Sequence, residues 1–308
     1  MIHQNRPLKR YHSRRRSALR DRQFVTAVPY LWLILFFLIP FLLVFKISLS
    51  ESVLAVPPYL PIFEWVPEGF LNIHLNIGNY LRLFLDPFYA SGLMTSLIIA
   101  FVATLVCLVV GYTIAYSITR IPQQWRFIFL LLIILPFWTS FLVRVYAWMG
   151  ILSKDGLLNQ LLLSLGLIQE PKQFLYNNFS VIVGIVYCYL PFMILPIYSV
   201  LEKIDEVYLE AAYDLGCSPW GAFWRVTFPL SLPGVLSGVA LVFIPALGEF
   251  VIPELLGAPD NLMIGRIIWI EFFNNRDWPI AATVAVVMLL MFIVPIMVLQ
   301  RRQLRKQG

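Results

Sequence analysis

Residues 210–230 read EAAYDLGCSPWGAFWRVTFPL, a charged, Gly- and Pro-bearing stretch set between runs apolar enough to cross a bilayer. On and ahead of it, Ile204, Val207, Tyr208, Ala211, Ala212 and Leu215 recur at helical spacing, which predicts an amphipathic helix over 202–215. Gly216 is placed to end that helix, because glycine takes up the left-handed backbone of a C-terminal stop without steric cost. Ser218-Pro219 then supplies an N-cap and a proline at the first helical position, so a second short helix is expected, closed by Pro229 and Pro233. Residues 202–216 carry five acids (Glu202, Asp205, Glu206, Glu210, Asp214) against Lys203. Such a face repels phosphate, which excludes a DNA-binding helix-turn-helix, and it is poorly suited to anionic lipid. Docking into another protein fits it better.

The rest of the chain says where that element sits. Of 308 residues, 60% are hydrophobic and 13% charged, whereas a soluble domain has about 25% charged. An all-α, polytopic membrane protein is expected. At about 20 residues per span, six transmembrane helices are predicted, at 28–49, 93–119, 127–150, 179–201, 232–253 and 280–300. The corresponding divisions are a basic tail 1–23, a first transmembrane helix 24–50, an outer loop 51–92, a five-helix core 93–300 containing the loop 202–230, and a basic tail 301–308. The first apolar run is too long for a signal-peptide core and no small-residue cleavage site follows it, so no cleaved leader is expected. With both ends on one side, sixteen Lys and Arg fall on that side and five on the other, which makes the N- and C-termini cytoplasmic.

The net charge of +6 is concentrated beside spans. It is read as anchoring against membrane lipid, not as a nucleic-acid surface. Cys107, Cys188 and Cys217 are too scattered for a disulfide frame or a thiolate metal site, His3, His12 and His74 do not cluster, and no nucleophile motif occurs. Neither a metal site nor an enzyme is expected. No G-x-x-x-x-G-K-[ST] segment occurs, so this chain is not expected to cradle ATP phosphates.

Charges inside spans are functional candidates, since each costs about 2.5–3.5 kcal/mol at a bilayer centre. Lys46 lies near the outer end of the first span and reads as snorkelling. Arg144 and Glu249 each fall 17 residues into a predicted span, which puts both about 26 Å from the cytoplasmic end if the helices are unbroken. Two readings follow. The two side chains pair and neutralise each other, or Glu249 faces a path and attracts an ammonium group, with Trp138, Tyr146, Trp148 and Phe250 offering ring faces and Glu254 lying further out. Pro245, close to Glu249, is read as breaking its span where a path passes. Gly234 and Gly238 form a GxxxG pair expected to allow close helix packing.

The EAA triplet, then three residues, then Gly216, then nine residues before Val226-x-Phe228-Pro229, resembles the EAA loop of binding-protein-dependent ABC importer permeases, whose pattern ends Ile-x-Leu-Pro. The stretches PFWTSFLVRVYAWMGIL (136–152), IPALGEFVIPELLGAPDNLMIGR (244–266) and EFFNNRDWP (271–279) are similar to the polyamine branch of that family, nearest its putrescine permeases. The likeness runs over nearly all of the chain after residue 27. It implies the type I ABC importer permease fold in a bacterial inner membrane, and a path for putrescine or spermidine. It also implies three partners: a cytoplasmic ATPase dimer that binds ATP and Mg, a second and distinct permease subunit, and a periplasmic polyamine-binding protein. Glu210, Ala211, Ala212, Gly216 and Pro229 would form the element that docks on the ATPase. The alternatives are a permease for another small organic solute and an ion-coupled secondary transporter, which has no use for such a loop.

With both ends inside, Ser17→Cys and Gln307→Cys are expected to react with a membrane-impermeant maleimide only after cells are permeabilised, whereas Glu64→Cys should react in intact cells. Labelling at position 307 in intact cells would overturn the six-span count.

Overall fold

The computed structural model describes residues 26–65, 71–260 and 262–307. The basic tail 1–23 and the first two residues of the predicted helix 24–50 lie outside them.

Two compact units make up the chain. The first, residues 1–80 and 277–291, holds helix α1 (Thr26–Ser48), which contains a π-helical turn at Ile34–Leu38. A hairpin of three-residue strands follows, β1 (Phe63–Trp65) with β2 (Leu71–Ile73), antiparallel with Phe63 opposite Ile73. The end of α1 is tied down by polar bonds. Ser48 Oγ shares a 2.7 Å hydrogen bond with Tyr80 Oη, while Asn79 Nδ2 donates to the carbonyls of Ser48 (3.1 Å) and Ser50 (2.9 Å). Thr283 Oγ1 donates to the Ser48 carbonyl at 3.1 Å. The described parts of the predicted outer loop 51–92 are therefore structured. It also contains α2 (Gly78–Leu85) and the first turns of the next helix.

The second unit, residues 81–276 and 292–308, is built on three long helices: α3 (Pro87–Arg120), α7 (Asn178–Leu201) and α9 (Pro219–Leu247). Asp86 caps α3 by accepting from Phe88 N, and Asn177 caps α7 in a reciprocal capping box with Ser180. The three helices pack on one another around Cys107, Tyr112 and Ala115 of α3, Met193, Ile194 and Ile197 of α7, and Val235 and Val242 of α9. Small residues let the backbones meet. A Cβ on Gly234 would stand 2.7 Å from the Pro196 carbonyl oxygen, and one on Gly238 2.7 Å from Met193 Sδ. Helix association in lipid has no hydrophobic drive, so such close van der Waals contact is what holds the helices together.

Between α3 and α7 run α4 (Gln123–Trp138, its last turn Leu135–Trp138 a 3-10 turn), α5 (Phe141–Leu152) and α6 (Leu157–Ser164). After α7 come α8 (Val207–Asp214), then α9, α10 (Val251–Leu256) and α11 (Ile264–Trp269), which runs on as a π turn at Ile270–Asn274. The last helix, α12 (Trp278–Gln307), continues through the predicted tail 301–308 as far as Gln307.

The predicted spans need correcting in two places. The third, 127–150, is broken at Thr139–Ser140 with a 92° bend between its halves. Pro136 cannot donate to an α-helical ladder, and the chain leaves through the 3-10 turn into an extended Thr139. The fifth, 232–253, begins at Pro219 and ends at Leu247. Among the described residues, four helices are long and apolar enough to cross a membrane, or five if the bent pair counts as one; α12 runs on to Gln307 but its described apolar part, Trp278–Ile293, is shorter, so a sixth span is not confirmed.

Gly238→Leu is expected to lower the unfolding midpoint of the purified protein by the equivalent of about 1–3 kcal/mol, because the side chain has no room against Met193. Gly150→Ala, where a Cβ meets nothing within 4 Å, should leave it unchanged or raised. Equal midpoints for the two variants would contradict the packing.

Candidate functional site

Two places bring the sequence candidates together. The first is the loop 202–230. Helix α8 starts at Val207, five residues later than predicted, because Asp205 Oδ1 accepts from Val207 N (3.2 Å) and 202–206 form turns off the end of α7. Its end is a Schellman closure. Gly216, at φ +81°, donates to the Tyr213 carbonyl (2.8 Å), and Cys217 N reaches back to the Ala212 carbonyl (3.0 Å). Ser218 Oγ then accepts from Gly221 N at 3.2 Å, with Pro219 in the first turn. Pro229 and Pro233 do not close a separate helix, contrary to the sequence expectation. A π turn at Phe223–Thr227 widens the helix just ahead of Pro229 and carries it into the span. Glu210 and Ala211 are exposed and Ala212 is buried. Val207, Tyr208, Leu215 and Trp220, at 58–86% exposure, are left uncovered by this chain.

The base of the loop is held from one side. Arg126 donates Nε to the Ile121 carbonyl (2.9 Å) and Nη2 to the Thr119 carbonyl (2.7 Å), and its Nη1 stands 3.9 Å from Glu202. Tyr198 Oη donates to the same carboxylate at 2.6 Å. A cavity of about 140 Å³ lies here, lined in part by Tyr116, Arg120, Arg126, Glu202 and Glu206.

The second place is the break after α9. Glu249 lies in it, 8% exposed, not on a helix. Its Oε1 accepts from the amides of Phe250 (3.2 Å), Val251 (3.1 Å) and Ile252 (3.4 Å), and Tyr189 Oη of α7 donates to Oε2. The carboxylate thus serves the free N–H groups at the start of α10, where a negative charge also meets the positive end of the peptide dipoles. Arg144 is 9% exposed on α5, with its guanidinium 4.6 Å from the Phe137 ring centre and 5.8 Å from that of Phe141. Its Nε and Nη1 have no hydrogen-bond partner. The equal-depth pairing of Arg144 with Glu249 is not present, because both predicted spans are interrupted and a constant rise per residue does not apply.

Of the aromatic candidates, Phe250 stacks on Trp269 (4.5 Å, 17°), and Phe273 meets Trp269 at a tilt (4.1 Å, 38°), forming a short ladder next to Glu249. Trp148 packs edge-on to Tyr187 at 5.4 Å. Trp138 and Tyr146 are exposed, at 75% and 55%. Glu254 forms an ion pair with Arg266 at 2.6 Å, and Arg266 also reaches the Ala258 carbonyl at 3.3 Å. The sequence reading missed Tyr189, Trp269, Phe273 and Glu271. Only Glu271 carried a signal, an acid inside the apolar run IIWIEFF. No group of three metal-ligating side chains is assembled among the described residues.

A family model described as "Binding-protein-dependent transport system inner membrane component" matches residues 13–305. The chain is 41% identical over 267 residues to the spermidine/putrescine transport system permease protein PotB of Escherichia coli (strain K12), covering 85% of this chain and 92% of that protein. With the protein of the same name in Haemophilus influenzae it is 38% identical over 265 residues, 86% of this chain and 88% of the relative. Among solved structures, a bacterial ABC transporter involved in import of the acidic polysaccharide alginate aligns with a TM-score of 0.65 over 96% of this chain and 99% of that one, at 15% identity. That likeness is one of fold.

Since Arg144 and Glu249 hold separate partners, Arg144→Gln and Glu249→Gln are expected to add in their effects on unfolding free energy, with a coupling below about 0.5 kcal/mol in a double-mutant cycle. A coupling well above about 1 kcal/mol would show that they pair.

Proposed function

The chain belongs to the family of binding-protein-dependent transport system inner membrane components, and from that premise we propose that it is the permease subunit that forms a path for polyamines, putrescine or spermidine, across the bacterial inner membrane. The reading rests most directly on α8. A short helix with exposed acids and an uncovered apolar face, closed by a glycine turn that fixes its direction, has the build of a plug for a cleft on a second protein. The proposed occupant of the other side is a cytoplasmic ATPase dimer, which carries ATP and Mg. Glu210, exposed on α8, would meet a basic group there, while Ala211 and Ala212 allow close approach and Gly216 and Pro229 set the two ends of the element. A second permease subunit and a periplasmic polyamine-binding protein complete the assembly, with both termini of this chain in the cytoplasm.

Inside the membrane, a linear diamine must exchange the water around each ammonium for carboxylates or ring faces, since an unpaired ammonium in apolar surroundings is prohibitively expensive. Glu249 and the Phe250–Trp269–Phe273 ladder provide both kinds of group at one break in the helices. In this conformation the Glu249 carboxylate is engaged with α10 and Tyr189, and the Arg144 donors are unfilled. ATP-driven rearrangement would release Glu249 toward substrate and let Arg144 take its place on an acceptor, an exchange of partners between two populated states. Glu254, held by Arg266, would then stand as a further carboxylate on the outer side.

In proteoliposomes holding the complete assembly, receptor loaded with putrescine or spermidine is expected to stimulate ATP hydrolysis and uptake. Glu210→Lys should abolish uptake while the complex still inserts. Gly216→Val should act likewise, because a β-branched residue at φ +81° costs about 1–2 kcal/mol and redirects the turn. Normal uptake by Glu210→Lys would sink the coupling role, and uptake by this chain alone without ATP would replace the reading with a secondary transporter.

A further inference from the structure

Glu271 is a buried carboxylate, 6% exposed, in the π turn that ends α11. Both of its oxygens are occupied: Tyr89 Oη of α3 donates to Oε1 at 2.9 Å, and Asn275 Nδ2 donates to Oε2 at 3.0 Å. Tyr89 is itself 1% exposed. At the other end of α11, Ser96 of α3 accepts from Ile264 N at 2.7 Å, in place of a cap from its own segment. Helix α11 is thus pinned to α3 at both ends. Its Trp269 stacks on Phe250 and meets Phe273 at a tilt.

We propose that Glu271 is a positioning residue, whose buried carboxylate fixes the rotation of α11 so that Trp269 stays stacked on Phe250 beside Glu249, with Phe273 tilted against its other side. The inference rests on the polyamine-path reading above and adds to it the group that holds the aromatic wall. Rotation is the degree of freedom that needs fixing. A π turn holds one more residue than an α turn, and its conversion to regular α-helix would turn everything beyond it by about 100°. Trp269 and Phe273, four residues apart, share a face in a regular α-helix as well, so what would be lost is the direction of that shared face toward Phe250. The Ser96 cap cannot prevent this, because it lies before the π turn; the Tyr89–Glu271–Asn275 bonds lie within and just past it. With both oxygens spent on neutral donors and almost no exposure, the carboxylate acts through geometry and not by attracting a cation.

The test uses the complete transporter in proteoliposomes with saturating receptor, with putrescine and spermidine as probes, and reads uptake per ATP hydrolysed. Glu271→Gln is expected to stay within about twofold of the parent, since the Gln carbonyl accepts from Tyr89 and Asn275 can turn its amide to meet the new NH₂. Glu271→Ala should lose about tenfold, and Tyr89→Phe about threefold, with receptor-stimulated ATP hydrolysis less affected. If Glu271→Ala does not accumulate in the membrane, Tyr89→Phe and Glu271→Gln carry the test. Loss in Glu271→Gln as large as in Glu271→Ala overturns the proposal in favour of a charge role. Parental uptake in both Glu271→Ala and Tyr89→Phe, or uptake and hydrolysis falling in parallel, overturns it too. Trp269→Ala separates the two levels: if it leaves uptake intact, the aromatic path itself is wrong, whereas loss there with parental Glu271→Ala removes only the positioning role.

Discussion

The three amides that converge on Glu249 Oε1 are where the rest of the interior begins. In an apolar medium every free backbone N–H costs several kcal/mol, so a helix can break there only if something meets the exposed groups. Glu249 meets them, and Tyr189 meets Glu249 in turn. The break between α9 and α10 then becomes tolerable, α10 leaves in a new direction, and the ring of Phe250 is turned onto Trp269. A carboxylate that would be a burden in an unbroken span is here what makes the interruption possible.

Helix α7 connects this interior to the loop 202–230. Tyr189 faces the break, Met193 and Pro196 lie in the notches of Gly238 and Gly234, and Tyr198 reaches the Glu202 carboxylate at the root of α8. Contacts so close leave little room for α7 to move independently of α9. Displacement of α8 by a docked partner would therefore be passed along a stiff element to the residues around Glu249, with the Arg126 bonds to Thr119 and Ile121 holding α3 and α4 to the same root. The exposed ion pair within that set contributes little energy by itself. Its value is in direction: it keeps the loop anchored on one side while the other is free.

How much of this was legible in the residues follows from the range of the forces involved. The Gly216 stop, the Ser218 cap and the acidic face of α8 were readable because each depends on backbone preference or spacing within a few residues. The start of α8 at Val207 is not legible in the spacing, because Asp205 fits the helical period yet acts as a competing local cap. Pro229 and Pro233 were read as terminators, yet a single widened turn absorbs the clash, and a π turn has no sequence signature of its own.

Sequence alone determined that this is an all-α polytopic membrane protein with an exposed acidic helix closed by glycine between two spans, because apolar run length, charge placement and turn chemistry are properties of consecutive residues. The tertiary structure decided where the spans break and what fills the breaks. Arg144 and Glu249 stand at matching positions in two apolar runs but take different partners, Phe rings for one, amides and Tyr189 for the other. The link from Glu271 to Tyr89 joins positions 182 residues apart. Such contacts come from packing of α3, α5, α7 and α11 in three dimensions, and one helix period cannot encode which distant side chain will be waiting at its end.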